Sequence, residues 1–238
     1  MDMTHAGLQA MGIDPRKSHD WRSIPARAVD RYYIGWDIGQ STDPSAVAVV
    51  RHVVTPLDEW VPNAKAELWR QSKEERFLCQ WLERLPLQMP YPQQVQHISN
   101  LLSRDPLKGA KLALDFTGCG RPVADYAYRA GLRPMNILIT AGSETTSIGG
   151  DTWHVPKQTL ISQLETRLHC GELKIAEALQ ESEALKNELK DFARKVSESG
   201  RVTFNARSGS HDDLVLALAI TLFAALNRPF FSVEELRI

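Results

Sequence analysis

Cysteine is scarce in this chain: 238 residues include only Cys79, Cys119 and Cys170. An odd count at no ligand-like spacing excludes a disulfide scaffold and a Cys-built zinc site. It points to reduced thiols and an intracellular protein. Long apolar runs are missing too. Nothing approaches the roughly 20 residues that a membrane span needs, and residues 1–14 carry no signal-peptide pattern. The expectation is a cytoplasmic protein with no membrane partner. An excess of one charge is also absent: 28 Lys and Arg stand against 29 Asp and Glu, a formal net charge of −1. No global basic field advertises nucleic acid, although a local basic rim around an acidic site would serve that purpose. Internal repeats and low-complexity tracts are absent as well.

What is present is ordinary in bulk, 43% apolar and 24% charged, and long enough for one large α/β domain with a real core. Residues 1–30 are polar with little periodicity and read as an arm or linker remnant, with a short helix over 4–11. The remainder, 31–238, reads as one domain. Tyr32 to Ile38 is a short apolar run that ends in Asp37 and Gly39. Turn chemistry follows at 40–44, and a β-branched strand restarts at Ala46. A proline-containing turn at 55–62 separates it from a strand near 66–70 and from a strand or helix over 77–85, where the alternation of Phe77, Cys79 and Trp81 favours strand. The front half is therefore an antiparallel meander.

After Pro90 and Pro92 the period changes. Val95, Ile98, Leu101 and Leu102 mark a helix over 93–103. Residues 111–115 form a buried-type strand ending in Asp115, 122–130 a helix with Gly131 at its C-terminus, and 135–140 the next strand. A strand–helix–strand unit implies parallel pairing with a right-handed crossover. Residues 141–155 suit a loop or small hairpin. Helices follow over 156–171 and 179–196, the latter striped by Leu185, Leu189 and Phe192, with short strands at 173–175 and 202–204. The last helix opens at Ser210-His211-Asp212-Asp213 and is apolar on every side to Leu226, the mark of a helix inside a core. A tail occupies 230–238.

Four carboxylates stand out. Asp37 and Asp115 each end an apolar strand just before a Gly-containing turn, where open α/β sheets gather ligands. Either one alone is more often a turn former. Asp212 and Asp213 open the core helix. One carboxylate there is an ordinary cap, and Ser210 with Asp213 imitates a capping box; a second adds repulsion that a neighbouring cation would relieve. Three or four carboxylates without a Cys or His pattern make an all-oxygen site, which suits hard cations such as Mg2+ or Mn2+. Two ions roughly 4 Å apart would form the clamp for in-line phosphodiester cleavage. Lys157, in the first turn of its helix, opposes the helix dipole and is a candidate DNA contact. Arg121, Arg207 and His211 are weaker candidates, each equally readable as a surface or loop residue.

The stretches YIGWDIGQSTDPSAVAVV, LALDFTGCGRPVADYAYRAGL, WHVPKQTLISQLETRLHCGELKI, ELKDFARKV and SHDDLVLALAITL occur in that order. Together they resemble the C-terminal nuclease domain of large terminase subunits of tailed phages and prophages, and the resemblance covers 32–226. It implies a ribonuclease-H-like fold: a central mixed sheet flanked by helices, with the first three strands antiparallel. It implies catalytic carboxylates at Asp37, Asp115 and the Asp212/Asp213 pair, with Asp213 the principal ligand and Asp212 assisting, and a basic path for duplex DNA. The implied activity is a Mg2+- or Mn2+-dependent endonuclease of two-metal type that cuts concatemeric phage DNA in the bacterial host. No Gly-x-x-x-x-Gly-Lys-Ser/Thr phosphate loop occurs in the sequence. The chain therefore reads as a separated nuclease domain, a stand-alone prophage gene product or a module that needs an ATPase in trans, with a packaging ATPase, a small terminase subunit or a portal as candidate partners. Three other readings share features with this one: a Holliday-junction-resolvase-type nuclease, an actin- or sugar-kinase-like ATPase, and a non-catalytic DNA-binding module.

Overall fold

A computed structural model describes residues 4–14, 22–39, 43–63, 68–199 and 212–227. In chain order the elements are α1 (His5–Ala10), β1 (Arg22–Ile24), β2 (Val29–Asp37), β3 (Ala46–Asn63), β4 (Leu68–Arg84), α2 (Tyr91–Leu102), β5 (Lys111–Asp115), α3 (Gly120–Arg129), β6 (Met135–Thr140), β7 (Thr146–Gly149), β8 (Thr152–Pro156), α4 (Lys157–His169), β9 (Leu173–Ile175), α5 (Ser182–Ser199) and α6 (Asp213–Asn227). The strand expected at 202–204, the Ser210 cap and the tail at 230–238 lie outside the described residues. The chain divides into two compact units. Residues 1–31 and 52–76 form the smaller, and 32–51 with 77–238 the larger.

In the larger unit the sheet runs in the order β4-β3-β2-β5-β6-β8-β7, with β9 paired to β4. Three sequence-consecutive strands lie side by side, and the strands that follow pair in parallel with β2 and with one another: β2 with β5, β5 with β6, and β6 with β8. This is the central mixed sheet expected from the sequence. Helices cover both faces because each strand is apolar on both sides. Ala46, Ala48 and Val50 pack with α4 and α6, whereas Val47 and Val49 pack with α2 and α3. Such double coverage is what a parallel sheet requires.

The hairpin predicted within 141–155 is the antiparallel pair β7–β8. Gly131 lies one residue beyond the α3 C-cap at φ +84°, the left-handed position that stops a helix. The sequence reading fails between 55 and 85. The expected turn and separate strands are one 18-residue strand, β3, and one 17-residue strand, β4. At nine residues β2 is half as long as β3. The outer part of β3 therefore outruns that neighbour, and an edge tolerates prolines such as Pro56 and Pro62 that donate no N–H.

The smaller unit has its own core of Leu8, Trp60 and Trp69, with Ile13 packed against it. Thr4 caps α1 by accepting from the Gly7 N–H at 3.0 Å. Here β1 pairs in parallel with residues 68–70 of β4. His52, fully buried, lies 2.7 Å from Glu75, and that bond to His52 holds the Glu75 carboxyl down at about 2.

In the larger unit α6 is the central element: every residue from Asp213 to Ala225 is buried. Each large apolar side chain in it contributes roughly 1.5–3 kcal/mol on burial, so packing rather than helix propensity holds this segment. It approaches the sheet most closely at Gly35, where a Cβ would overlap Thr221 Oγ1 and the Ala217 carbonyl oxygen. Thr221 satisfies its own hydroxyl by donating to that carbonyl at 2.7 Å. A Gly35→Ala substitution must push helix and strand apart. The expected cost is about 1–3 kcal/mol of unfolding free energy, read from urea denaturation. An unchanged midpoint would mean that the strand and helix have room to separate.

Candidate metal centre

The register of the parallel strands sets the first two carboxylates. Gly35 pairs with Ala113 and Trp36 with Leu114. The next positions on the two strands are Asp37 and Asp115. Side chains alternate across a strand, so Asp37 shares a face with Tyr33, and Asp115 with Ala113. Tyr33 and Ala113 belong to the core cluster that contains α6. Both carboxylates are therefore directed to the face that α6 covers. The N-terminus of α6 supplies the other pair: Asp213 is its first residue, and the Asp212 carbonyl accepts from the Leu216 N–H at 2.9 Å.

The four do not share one environment. Asp37, Asp115 and Asp213 are 5, 8 and 6% exposed, and are nearly dry. Asp115 is held by the Thr117 backbone N–H at 2.8 Å, and Thr117 Oγ1 in turn accepts from the Ile139 N–H at 2.9 Å. That arrangement fixes the loop after β5 to the neighbouring strand. Burial raises Asp37 well above the usual carboxylate range, and the charges of Asp115, Asp213 and Asp212 raise it further. A side-chain hydrogen bond between Asp37 and Asp115 adds to the rise at Asp37 and lowers Asp115. Burial also raises Asp115, against the opposing pull of Thr117, Asp37 and Lys157. All four sequence-selected carboxylates thus interact electrostatically, as a cluster of like charges must.

Lys157 sits at the start of α4, and its Nζ lies 2.6 Å from Asp212 Oδ2. The cation that opposes the α4 dipole thereby has a carboxylate partner. Arg121, in the first turn of α3, is exposed, with its guanidinium 5.6 Å above the Phe116 ring. Arg207 and His211 lie outside the described residues.

Sequence reasoning missed two charged residues at this centre. Arg84, the last residue of β4, reaches Glu181 Oε2 at 3.1 Å, binds Glu188 Oε1 directly, and lies 3.8 Å from Asp213 Oδ2. Glu188, from α5, also accepts the Val215 N–H at 3.0 Å with its second oxygen. It therefore caps α6 from another helix. Burial pushes the Glu188 carboxyl up to about 7, although the Val215 N–H and Arg84 pull it down. A signal was present: Glu188 falls on the Leu185/Leu189 stripe of α5, and a carboxylate on a buried stripe needs a partner.

The donor chemistry fits a hard divalent cation. It is all oxygen, and burial together with mutual repulsion raises Asp37, a cost that a bound cation would offset. Among the described residues, no three His, Cys, Asp or Glu side chains converge closely enough as they stand to hold a metal ion.

No protein-family model and no curated protein matches the chain. Its solved neighbours are nuclease domains of terminases. The large terminase nuclease of the thermophilic phage G20c is 19% identical, with 83% of each chain covered and a TM-score of 0.47. The nuclease domain of the large terminase of bacteriophage SPP1, with Mn bound in that structure, is 8% identical over 87% of this chain and 97% of its own, with a TM-score of 0.49. The human cytomegalovirus terminase nuclease domain is 14% identical over 93% and 89%, with a TM-score of 0.45. All three are under 25% identical with TM-scores below 0.5, so the chemistry has to come from this chain's own side chains.

The raised carboxyls set the sign of the pH dependence. A carboxyl whose folded pKa is raised supports folding fully below its ordinary value, 3.8 for Asp37, and that support is lost as pH rises through the folded pKa. For Glu188 the loss runs from its ordinary 4.5 through about 7. Melting temperature in EDTA should therefore fall between about pH 4 and 8. Asp37→Asn should flatten that fall, and Mn2+ should restore wild-type stability at the alkaline end. A metal-free melting temperature that climbs over this range would contradict the assignment of a buried, self-repelling cluster.

Proposed function

We propose that this chain is a metal-dependent endonuclease acting on duplex DNA. What supports the reading is that Asp37 and Asp115 end two adjacent parallel strands on the face that α6 covers, while Asp212 and Asp213 stand at the start of α6. Asp37, Asp115 and Asp213 would hold Mg2+ or Mn2+, with Asp212 assisting. When bound, the cations would supply Lewis-acid polarisation of the scissile phosphodiester and offset charge on the attacking and leaving oxygens. The protein's own part is to hold that donor set rigid. Gly35 admits α6, Thr117 orients Asp115, and Lys157 orients Asp212. Lys157 and Arg121 are the described cations best placed by sequence to meet the DNA backbone, with Arg207 and His211 as further candidates. Concatemeric phage DNA is the substrate to which the sequence resemblance points. A packaging ATPase, a small terminase subunit or a portal would be its partner.

Plasmid nicking and linearisation test this directly. Wild type with Mn2+ or Mg2+ should cut, and EDTA should abolish cutting. Asp37→Asn, Asp115→Asn and Asp213→Asn should each lose about 100-fold or more, at least the upper end of what loss of a supporting partner costs a metal site. Wild-type rates from any two of these variants would sink the proposed site.

A further inference from the structure

A cavity of about 280 Å3 lies between the connection that follows β2 and the turn that leads from β4 into α2. Ligand sites run to roughly 300–1,000 Å3, so this one has room for a single compact group. Its walls include Pro44, Pro86, Met89, Pro90 and Tyr91. Proline and tyrosine rings offer flat apolar faces against which another ring packs. No Lys, Arg or His lines the cavity, whereas Asp43 does, so it does not suit an anion.

The other polar side chains are chiefly amides. Gln94 is 4% exposed, and its Nε2 donates to the Met89 carbonyl at 2.8 Å. Only the nitrogen end of an amide can make that bond, so the oxygen end is identified. The buried Oε1 accepts no hydrogen bond among the described residues. A buried acceptor without a donor is an exception in a folded protein. Gln88, also in the lining, sits in a tight turn closed by the Met89 N–H on the Pro86 carbonyl at 3.0 Å, with φ +64°. Glycine suits that backbone; glutamine holds a second amide at the cavity despite the strain.

The cavity is tied to the candidate centre through β2. Gly39 is two residues beyond Asp37, a separation of at most about 7 Å even in extended chain. The Gly39 N–H donates to Ser45 Oγ at 3.0 Å, and the Ser45 carbonyl accepts the Leu85 N–H at 2.8 Å. The Cys119 thiol donates to the Ile38 carbonyl at 3.7 Å and is hydrogen-bonded to the Tyr91 side chain. Both walls are therefore fixed to the strand that carries Asp37.

We infer that this cavity takes one nucleobase of the DNA, unstacked beside the phosphodiester to be cut, and that Gln94 and Gln88 read its edge. The inference rests on the nuclease reading above. A base is flat and uncharged, apolar on its faces, with donors and acceptors along its edge. That is the complement of proline and tyrosine walls with two amides. An exocyclic amino group or a ring N–H supplies the donor that Gln94 Oε1 lacks. The phosphates find no cation in the cavity and stay outside it.

The test is the base composition around cut sites. The full chain with Mn2+ cuts a random-sequence duplex library briefly, and the new ends are sequenced. Wild type should favour one base about tenfold at one position near the cut, the scale of well-placed hydrogen bonds to a base edge. Gln94→Leu keeps the approximate size of the side chain and removes the acceptor, and should reduce that preference to less than about twofold. Circular dichroism checks that the variant folds. If it does not, Gln88→Gly decides instead, because glycine relaxes the φ +64° backbone while removing the second amide, and it should lower the preference in the same way. Absence of any base preference in wild type overturns the inference, as does an unchanged profile from the deciding variant. If wild type does not cut at all with Mn2+, the nuclease reading fails and this inference goes with it. If wild type cuts and the variant leaves its profile unaltered, the nuclease reading stands and only the base pocket falls.

Discussion

The absence of a side chain at Gly35 is the constraint on which the rest of the larger unit depends. Two residues before Asp37, β2 offers bare backbone to α6, and the helix comes in until Thr221 and the Ala217 carbonyl occupy the space. Ala217 and Thr221 follow Asp213 by four and eight residues, so they lie along one side of the same helix. The same contact fixes both the depth of a core helix and the distance of its acidic mouth from the strand-end carboxylates. A strand can hold Asp37 rigidly and a parallel neighbour can align Asp115, but neither places the third side of the cluster. That depends on how close two backbones can lie.

Closeness has an electrostatic cost that shapes the surroundings. Burying three carboxylates together, with Asp212 part-buried beside them, would destabilise the fold if all were charged, and three responses are visible. The Asp37 carboxyl is raised toward its neutral form, Lys157 partners Asp212, and Arg84 stands beside Asp213 while bound to Glu181 and Glu188. The two cations come from α4 and β4, two separate elements that both precede the acidic pair in the chain. A core that tolerates this arrangement gives up stability for a site poised to take up positive charge, a trade common where function is built into buried polar groups.

Much of this was legible in the sequence, for identifiable reasons. Strand-end Asp residues before glycine turns announce themselves locally, as does a double Asp opening an all-apolar helix. The parallel strand–helix–strand unit through Asp115 follows from a change of period. The pairing of Arg84 with Glu188 was not legible: 104 residues separate them, and although Glu188 stands on an apolar stripe, nothing local names its partner until β4 and α5 are brought together. The lengths of β3 and β4 were hidden too. Proline reads as a breaker in sequence, and only the sheet reveals that the outer part of β3 runs beyond its shorter neighbour. The smaller core of Leu8, Trp60 and Trp69 escaped for a similar reason, because its residues lie in segments that individually look polar.

The cap that Glu188 places on Val215 also orders events in time. The first turn of α6 has its N–H satisfied only after α5 has docked, and α5 is read from the messenger shortly before α6. Asp37 and Asp115 emerge from the ribosome far earlier and can sit side by side on a nascent sheet with nothing opposite them. The acidic cluster therefore gains its last side only once α5 and α6 have followed the sheet out of the ribosome. A growing polypeptide that has made the sheet alone carries half a centre.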